Sequence, residues 1–290
     1  MALQRKVVSV NTPAGHTGFM GPDHTARAVI DGNYAQRDPF IVLMDDRLNK
    51  QDNTPVGGPH PHAGFETVSL LLEGEMGDEA YRMKSGDFQM MTAGSGIVHT
   101  ETIDKIAKMR LLQLWVNLPK KDRWAPPRVQ DLPLAHVPTS EENGVSIKLY
   151  SGALAGLTSP VENYVPILVA DISIAAHVTT TLHIPANFNT LLYVLQGSAQ
   201  VGEEARLLQV DQVGWLDLSD KEELSELHVT AGEAGTRFVL YAGKPTGEPM
   251  VSHGPFIGDS ADDINRLYQE YRQGRIQHIA TVPDSQRIVL

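Results

Sequence analysis

The chain has no cysteine among its 290 residues. That excludes disulfide scaffolding, thiolate metal ligands, zinc ribbons and cysteine nucleophiles, and the fold needs no oxidising compartment. An apolar run long enough to span a bilayer is also missing, because the Tyr164–Val178 region is broken by Pro166 and Asp171. Met1-Ala2-Leu3-Gln4-Arg5-Lys6 is not followed by the apolar stretch of a signal peptide. The expected location is therefore cytoplasmic, with no membrane association. There is no basic excess either. Formal net charge is −11, whereas nucleic-acid binders usually carry a basic stripe, so no direct nucleic-acid binding is expected. The densest basic group, Lys120-Lys121-Asp122-Arg123, reads as a solvated turn rather than a phosphate patch. With 41% hydrophobic and 20% charged residues, the composition is that of a folded globular chain. Its length suits two domains or one large β domain.

What is present reads mostly as strand. Short alternating or β-branched segments close at Gly or Pro: Thr67–Leu72 before Gly74, Met109–Val116 before Pro119, Ser146–Tyr150 before Gly152, Leu191–Leu195 before Gly197, and Arg237–Tyr241 before Gly243. Such a series predicts an all-β sandwich or barrel. An internal repeat sharpens the expectation to two barrels in tandem. Phe65-Glu66-Thr67-Val68-Ser69-Leu70-Leu71-Leu72-Glu73-Gly74 returns as Phe188-Asn189-Thr190-Leu191-Leu192-Tyr193-Val194-Leu195-Gln196-Gly197, at a lag of 123 residues. The segment Arg110–Pro119 returns as Arg237–Pro245 at a lag of 127. The division falls at about residue 125, giving domains 1–125 and 126–290, with the link in the Pro- and acid-rich stretch from Pro126 to Gly144.

One helix is predicted at about 260–274, closing the second domain. Ser260 and Asp263 form a capping-box-like start. Ile264, Leu267, Tyr268 and Tyr271 share one helical face, and Gly274 is placed to end it. Its expected part is to cover a barrel.

The chemistry concentrates in His60-Pro61-His62 and His99-Thr100-Glu101. Each is an i, i+2 pair, and in extended strands such pairs point to one face. Three imidazoles and a carboxylate can thus converge from two neighbouring strands on one divalent transition metal, leaving positions open for a substrate. A set without sulfur suits Fe, Mn, Ni, Cu or Zn; structural zinc would usually have thiolates and a closed shell. Gly57-Gly58 and Gly94-Ser95-Gly96 allow tight turns beside the ligands or are ordinary hairpin turns. Met83, Met90 and Met91 read as core fillers, with Met90 or Met91 as an alternative pocket lining. Trp115, Trp124 and Trp215 read as core or lid residues. The second half keeps little of this chemistry: His60 maps to His183, but His62 maps to Pro185.

At these residues the chain resembles the pirin family of bicupins. The resemblance is carried by Asp38-Pro39-Phe40-Ile41-Val42-Leu43-Met44-Asp45-Asp46, His60-Pro61-His62-Ala63-Gly64-Phe65-Glu66-Thr67-Val68, and Gly86–Glu101, with Gly247-Glu248-Pro249-Met250 and Gly254-Pro255-Phe256 further on. It implies two cupin (jelly-roll) barrels, with metal only in the N-terminal one, held by His60, His62, His99 and Glu101. Fe(II) is the first expectation for that metal, with Mn, Co, Ni, Cu or Zn as alternatives. The segment Glu75–Gly86 is shorter than the hairpin the family often has there. The resemblance further implies a quercetin 2,3-dioxygenase that opens flavonol-type phenols with O₂, Glu101 acting as the catalytic base. The rival reading is a metal-containing, redox-sensing binding protein or transcriptional cofactor with a protein partner. A monomer is expected in either case.

Overall fold

The computed structural model describes residues 2–77 and 82–290, so part of the short Glu75–Gly86 segment lies outside the described residues. The expected all-β class holds, and the one α-helix among the described residues is Ala261–Arg272. Contacts divide the chain into two compact units that are not contiguous in sequence. One comprises the stretch up to Pro13, Arg37–Pro39 and Val137–Pro245; the other comprises Ala14–Gln36, Phe40–His136 and Thr246–Leu290. The division expected at residue 125 follows chain order, whereas the chain passes between units at 136/137 and again at 245/246.

The unit built on Val137–Pro245 has a ten-stranded sheet centred on Ile167–Ile174, Leu224–Gly243 and Asn189–Val201. Its apolar side chains, among them Leu149, Ile172, Leu192, Val194, Phe238 and Leu240, form one buried cluster. The early strand Val7–Asn11 is an edge of this sheet, paired with Val213–Leu216. Buried Arg5 anchors that edge through the Asp217 side chain and backbone carbonyls around Pro185 and Phe188.

The second unit has an eight-stranded sheet in which Phe65–Glu73 lies between Phe88–Thr92 and Ala107–Asn117. A three-stranded sheet contains Gln277–His278, Ile97–His99 and His60–His62 in that order. The sequence repeat is a repeat of pairing. Thr67 lies opposite Trp115, and Thr190, 123 residues on, lies opposite Ala242, the lag-127 equivalent of Trp115. Leu70 opposite Leu112 is echoed in the same register by Tyr193 opposite Val239.

Residues beyond Pro245 brace the strand that carries the first two histidines. Ala63 bridges Phe256, and the Ile257 N–H donates to the Ala63 carbonyl at 2.9 Å. The helix then packs Ile264 and Leu267 with Ala63, Phe256 and Ile276. Its expected capping box is complete: Ser260 accepts from the Asp263 N–H, and Asp263 accepts from the Ser260 N–H. Gly274, at φ +64°, follows the C-cap as a left-handed stop. Tyr271, expected on the covered face, is 39% exposed because the contact stripe is narrower than the i, i+7 pattern implies.

Arg123 corrects the reading of the basic turn. Lys120 and Lys121 are exposed, but Arg123 is fully buried. Its guanidinium donates to Asp259 at 2.8 Å, the Gly64 carbonyl at 3.0 Å and Asn117 Oδ1 at 2.8 Å. An arginine fork donates in several directions at once, which suits it to a buried position facing three acceptors.

Candidate metal centre

Strands His60–His62 and Ile97–His99 pair antiparallel, with Ile97 opposite His62 and His99 opposite His60. The alternation of side chains along both strands turns all three imidazoles to one face. His99 Nε2 lies 2.8 Å from His60 Nε2 and 3.1 Å from His62 Nε2. Among the described residues these three form the one cluster of histidine or carboxylate groups compact enough to hold a metal ion. Glu101 belongs to the same place but not to the strand. It lies just past His99, its N–H donating to the Gly57 carbonyl at 3.2 Å, and its Oε2 is 4.0 Å from His60 Nε2. The carboxylate was expected from a second strand pair; the turn at Gly57 is what delivers it.

Two of the flagged glycines are required by this arrangement. Gly57 has φ +73°, and a Cβ there would fall 2.5 Å from the Glu101 carbonyl oxygen. Gly94 has φ +48°, and its Cβ would meet the Ala125 carbonyl at 2.0 Å. By contrast Gly58 has open space around it, and what it supplies is its carbonyl.

The cluster fits a cation better than it fits itself. The Gly58 carbonyl can only accept, so His60 Nδ1, 3.0 Å away, carries the hydrogen and Nε2 presents a lone pair. His99 Nε2 faces two other ring nitrogens, yet one N–H or one lone pair cannot satisfy both. A single ion accepting three lone pairs can. Adjacent nitrogens, each about 2.0–2.1 Å from one ion and at right angles, lie about 3 Å apart, which matches the observed 2.8 and 3.1 Å.

The electrostatics agree. Burial lowers the His99 pKa to about 3, helped by His60 and His278, and it holds His62 well below the usual histidine range, helped by His99 and His60. The Pro255 carbonyl beside His62 opposes this without reaching hydrogen-bond geometry at Nδ1. Neutral imidazoles are the ligating form. Glu101 is pushed the other way: burial raises its pKa, against His60 and the hydrogen bond from Gln113.

Around the cluster, Trp115 stands edge-on to His62 with ring centroids 5.3 Å apart, backed by Phe65. His278 reaches Thr100 Oγ1 at 3.3 Å. A narrow pocket beside Glu101 and His99 is lined by Ser69, Met76, Met83 and Gln89. Met83 lines this pocket while also packing in the apolar core, and Met90 and Met91 are core residues, as expected. Gln113, His278 and the Gly58 carbonyl carry no recognisable signal in the sequence; they become visible only through the cross-strand register. His183, the equivalent of His60, is 58% exposed and next to Glu226. No helix among the described residues is long and apolar enough to cross a membrane.

Comparison with known proteins gives a consistent picture. The family model described as Pirin matches residues 23–116, and that described as Pirin C-terminal cupin domain matches residues 169–277. A Pseudomonas aeruginosa protein named, provisionally, as a quercetin 2,3-dioxygenase is 34% identical, covering 94% of this chain and 99% of that one. A tomato (Solanum lycopersicum) pirin-like protein is 33% identical, with 82% and 81% of the two chains covered. The crystal structure of a quercetin 2,3-dioxygenase from Acinetobacter baumannii is 26% identical and superposes with a TM-score of 0.82, covering 95% of this chain and 99% of that one. The fold is therefore that of two cupin domains.

Proposed function

The chain belongs to the pirin family, and from that premise we propose that it is a metal-dependent dioxygenase that opens flavonols of the quercetin type. In this reading His60, His62, His99 and Glu101 hold one divalent transition metal, with Fe(II) as the first candidate. The observation that carries it is the approach of three imidazole nitrogens to about hydrogen-bond distance with no hydrogen bonding that satisfies them all, while burial keeps the His62 and His99 rings neutral. The names and high coverage of the Pseudomonas and Acinetobacter relatives support the substrate class.

When bound, the ion supplies Lewis acidity that lowers the pKa of the substrate hydroxyl, and a redox-active centre for reaction with O₂. The rest is the work of the chain. Glu101, with its pKa raised by burial, is a better proton acceptor for the hydroxyl than an ordinary carboxylate. Gln113 holds Oε1, so Oε2 is the oxygen left to take that proton. Gly58 and the strand pairing keep the imidazoles aimed inward. His60 is the most exposed of the three, with 29% of its side chain accessible, so a substrate approaches on its side.

The test is loss of quercetin absorbance coupled to oxygen uptake, measured on protein reconstituted in turn with Fe, Mn, Co, Ni and Cu. Turnover with at least one metal supports the reading. No turnover of any polyphenol with any of them overturns it.

A further inference from the structure

The loop between strands Gly15–Thr17 and His24–Ile30 is built around a buried histidine. His24 is 1% exposed. Its Nδ1 accepts the Met20 N–H at 3.2 Å, which leaves Nε2 as the donor to Asp46 Oδ1 at 2.8 Å. Gly18 lies against that ring so closely that a Cβ would come 2.1 Å from Nδ1. The Gly18 N–H donates to the His24 carbonyl at 2.8 Å, closing the loop, and Met20 points into an apolar cluster with Leu48, Ile103 and Met109.

Between Gly18 and Met20, the same loop turns Phe19 outward. Phe19 is 72% exposed, and its ring centroid lies 6.3 Å from that of His60 at an interplanar angle of 65°. A single exposed aromatic is ordinary on a protein surface. This one is unusual in its setting. It stands on a loop tied down on both sides, next to the most open member of the histidine cluster. A ring carried on so fixed a backbone offers stacking and edge-to-face contact at the cost of ordering only its own side chain.

Resting on the flavonol reading above, we propose that Phe19 is a substrate-binding residue, stacking on the flat ring system of a multi-ring phenol whose hydroxyl meets the centre on the His60 side. Phe19 thereby favours flavonols over single-ring phenols.

Zn(II)-reconstituted protein, titrated under anaerobic conditions with 3-hydroxyflavone and with catechol, tests this by the ligand's absorbance shift, with metal content per chain measured in parallel. Phe19→Ala is expected to weaken 3-hydroxyflavone binding on the order of ten-fold, with metal content unchanged and catechol little affected. Phe19→Trp restores flavone binding to within about two-fold of wild type. Wild-type affinity for 3-hydroxyflavone in Phe19→Ala, equal weakening for both ligands, or loss of metal overturns the assignment of Phe19 while leaving the flavonol reading in place. Failure of the unaltered protein to bind 3-hydroxyflavone overturns both.

Discussion

The side-chain amide of Gln113 donates to Oε1 of Glu101 at 3.1 Å, which leaves Oε2 as the oxygen turned toward His60. One hydrogen bond from a neighbouring strand thus decides which lone pairs of the carboxylate are free for chemistry. Glu101→Gln keeps the shape but removes the base. It is expected to cut turnover by roughly 10²–10⁴-fold, with an unchanged thermal melt. Gln113→Leu leaves the carboxylate in place but unoriented, and a smaller loss in kcat is expected. Steady-state kinetics beside a melt for each variant checks both, and full activity in Glu101→Gln would contradict the base assignment.

His62 is the most enclosed route to losing the metal. It sits between His99 and Trp115 with its ring buried. His62→Ala removes one of three imidazoles and is expected to drop bound metal well below one ion per chain after dialysis. Elemental analysis reads this directly, and wild-type stoichiometry would argue against the site.

Gly57 is a conformational requirement of the same site. A side chain at φ +73° and 2.5 Å from the Glu101 carbonyl has to push that backbone away. Gly57→Ala is expected to lower turnover more than it lowers stability, the latter by about 1–2 kcal/mol. Gly58→Ala, with open space around it, serves as the matched control for stability.

Arg123 is a structural prediction. Replacing it with Met leaves Asp259, the Gly64 carbonyl and Asn117 Oδ1 without their donor. Because Asp259 keeps some solvent access, the expected loss is about 3 kcal/mol, at the low end for a broken buried pair. Urea denaturation measures it.

The helix start responds to acid in a definite direction. Burial tends to raise the Asp263 pKa, but hydrogen bonds from the Ser260 hydroxyl and the Asp259 and Ser260 backbone, with Arg266 nearby, hold it below the ordinary carboxylate value of 3.8. Its stabilising contribution is therefore present above pH 3.8 and is lost as pH falls through the lower folded value. Asp263→Asn should cost about 1 kcal/mol near neutral pH, a difference that shrinks below pH 4. A pH series of denaturation curves for both proteins checks the sign.

The strands and the histidines were legible because their signals are local. Alternation marks Thr67–Leu72, and the two lags mark Phe65–Gly74 with Phe188–Gly197 and Arg110–Pro119 with Arg237–Pro245 as equivalent segments, whereas the cross-strand pairs themselves, Thr67 with Trp115 and Thr190 with Ala242, are visible only in the structure. The i, i+2 spacing of His60 and His62 already dictated a shared face. Arg123 was misread because its partner Asp259 lies 136 residues away, and no local pattern records so distant a contact. Phe19 was passed over for a similar reason, since its place beside His60 depends on a loop folded around His24 and Asp46. The place of Thr246–Leu290 in the same unit as Phe40–His136 is equally hidden, because no local pattern marks the chain's return to an earlier sheet.

That return sets an order of assembly. During translation, the ribosome releases Val137–Pro245 before Phe256, Ile264 and Leu267, the residues that wedge behind Ala63. The imidazole-bearing strands consequently spend part of synthesis without their brace, so the three ring nitrogens reach their final spacing only after the closing segment of the chain has emerged.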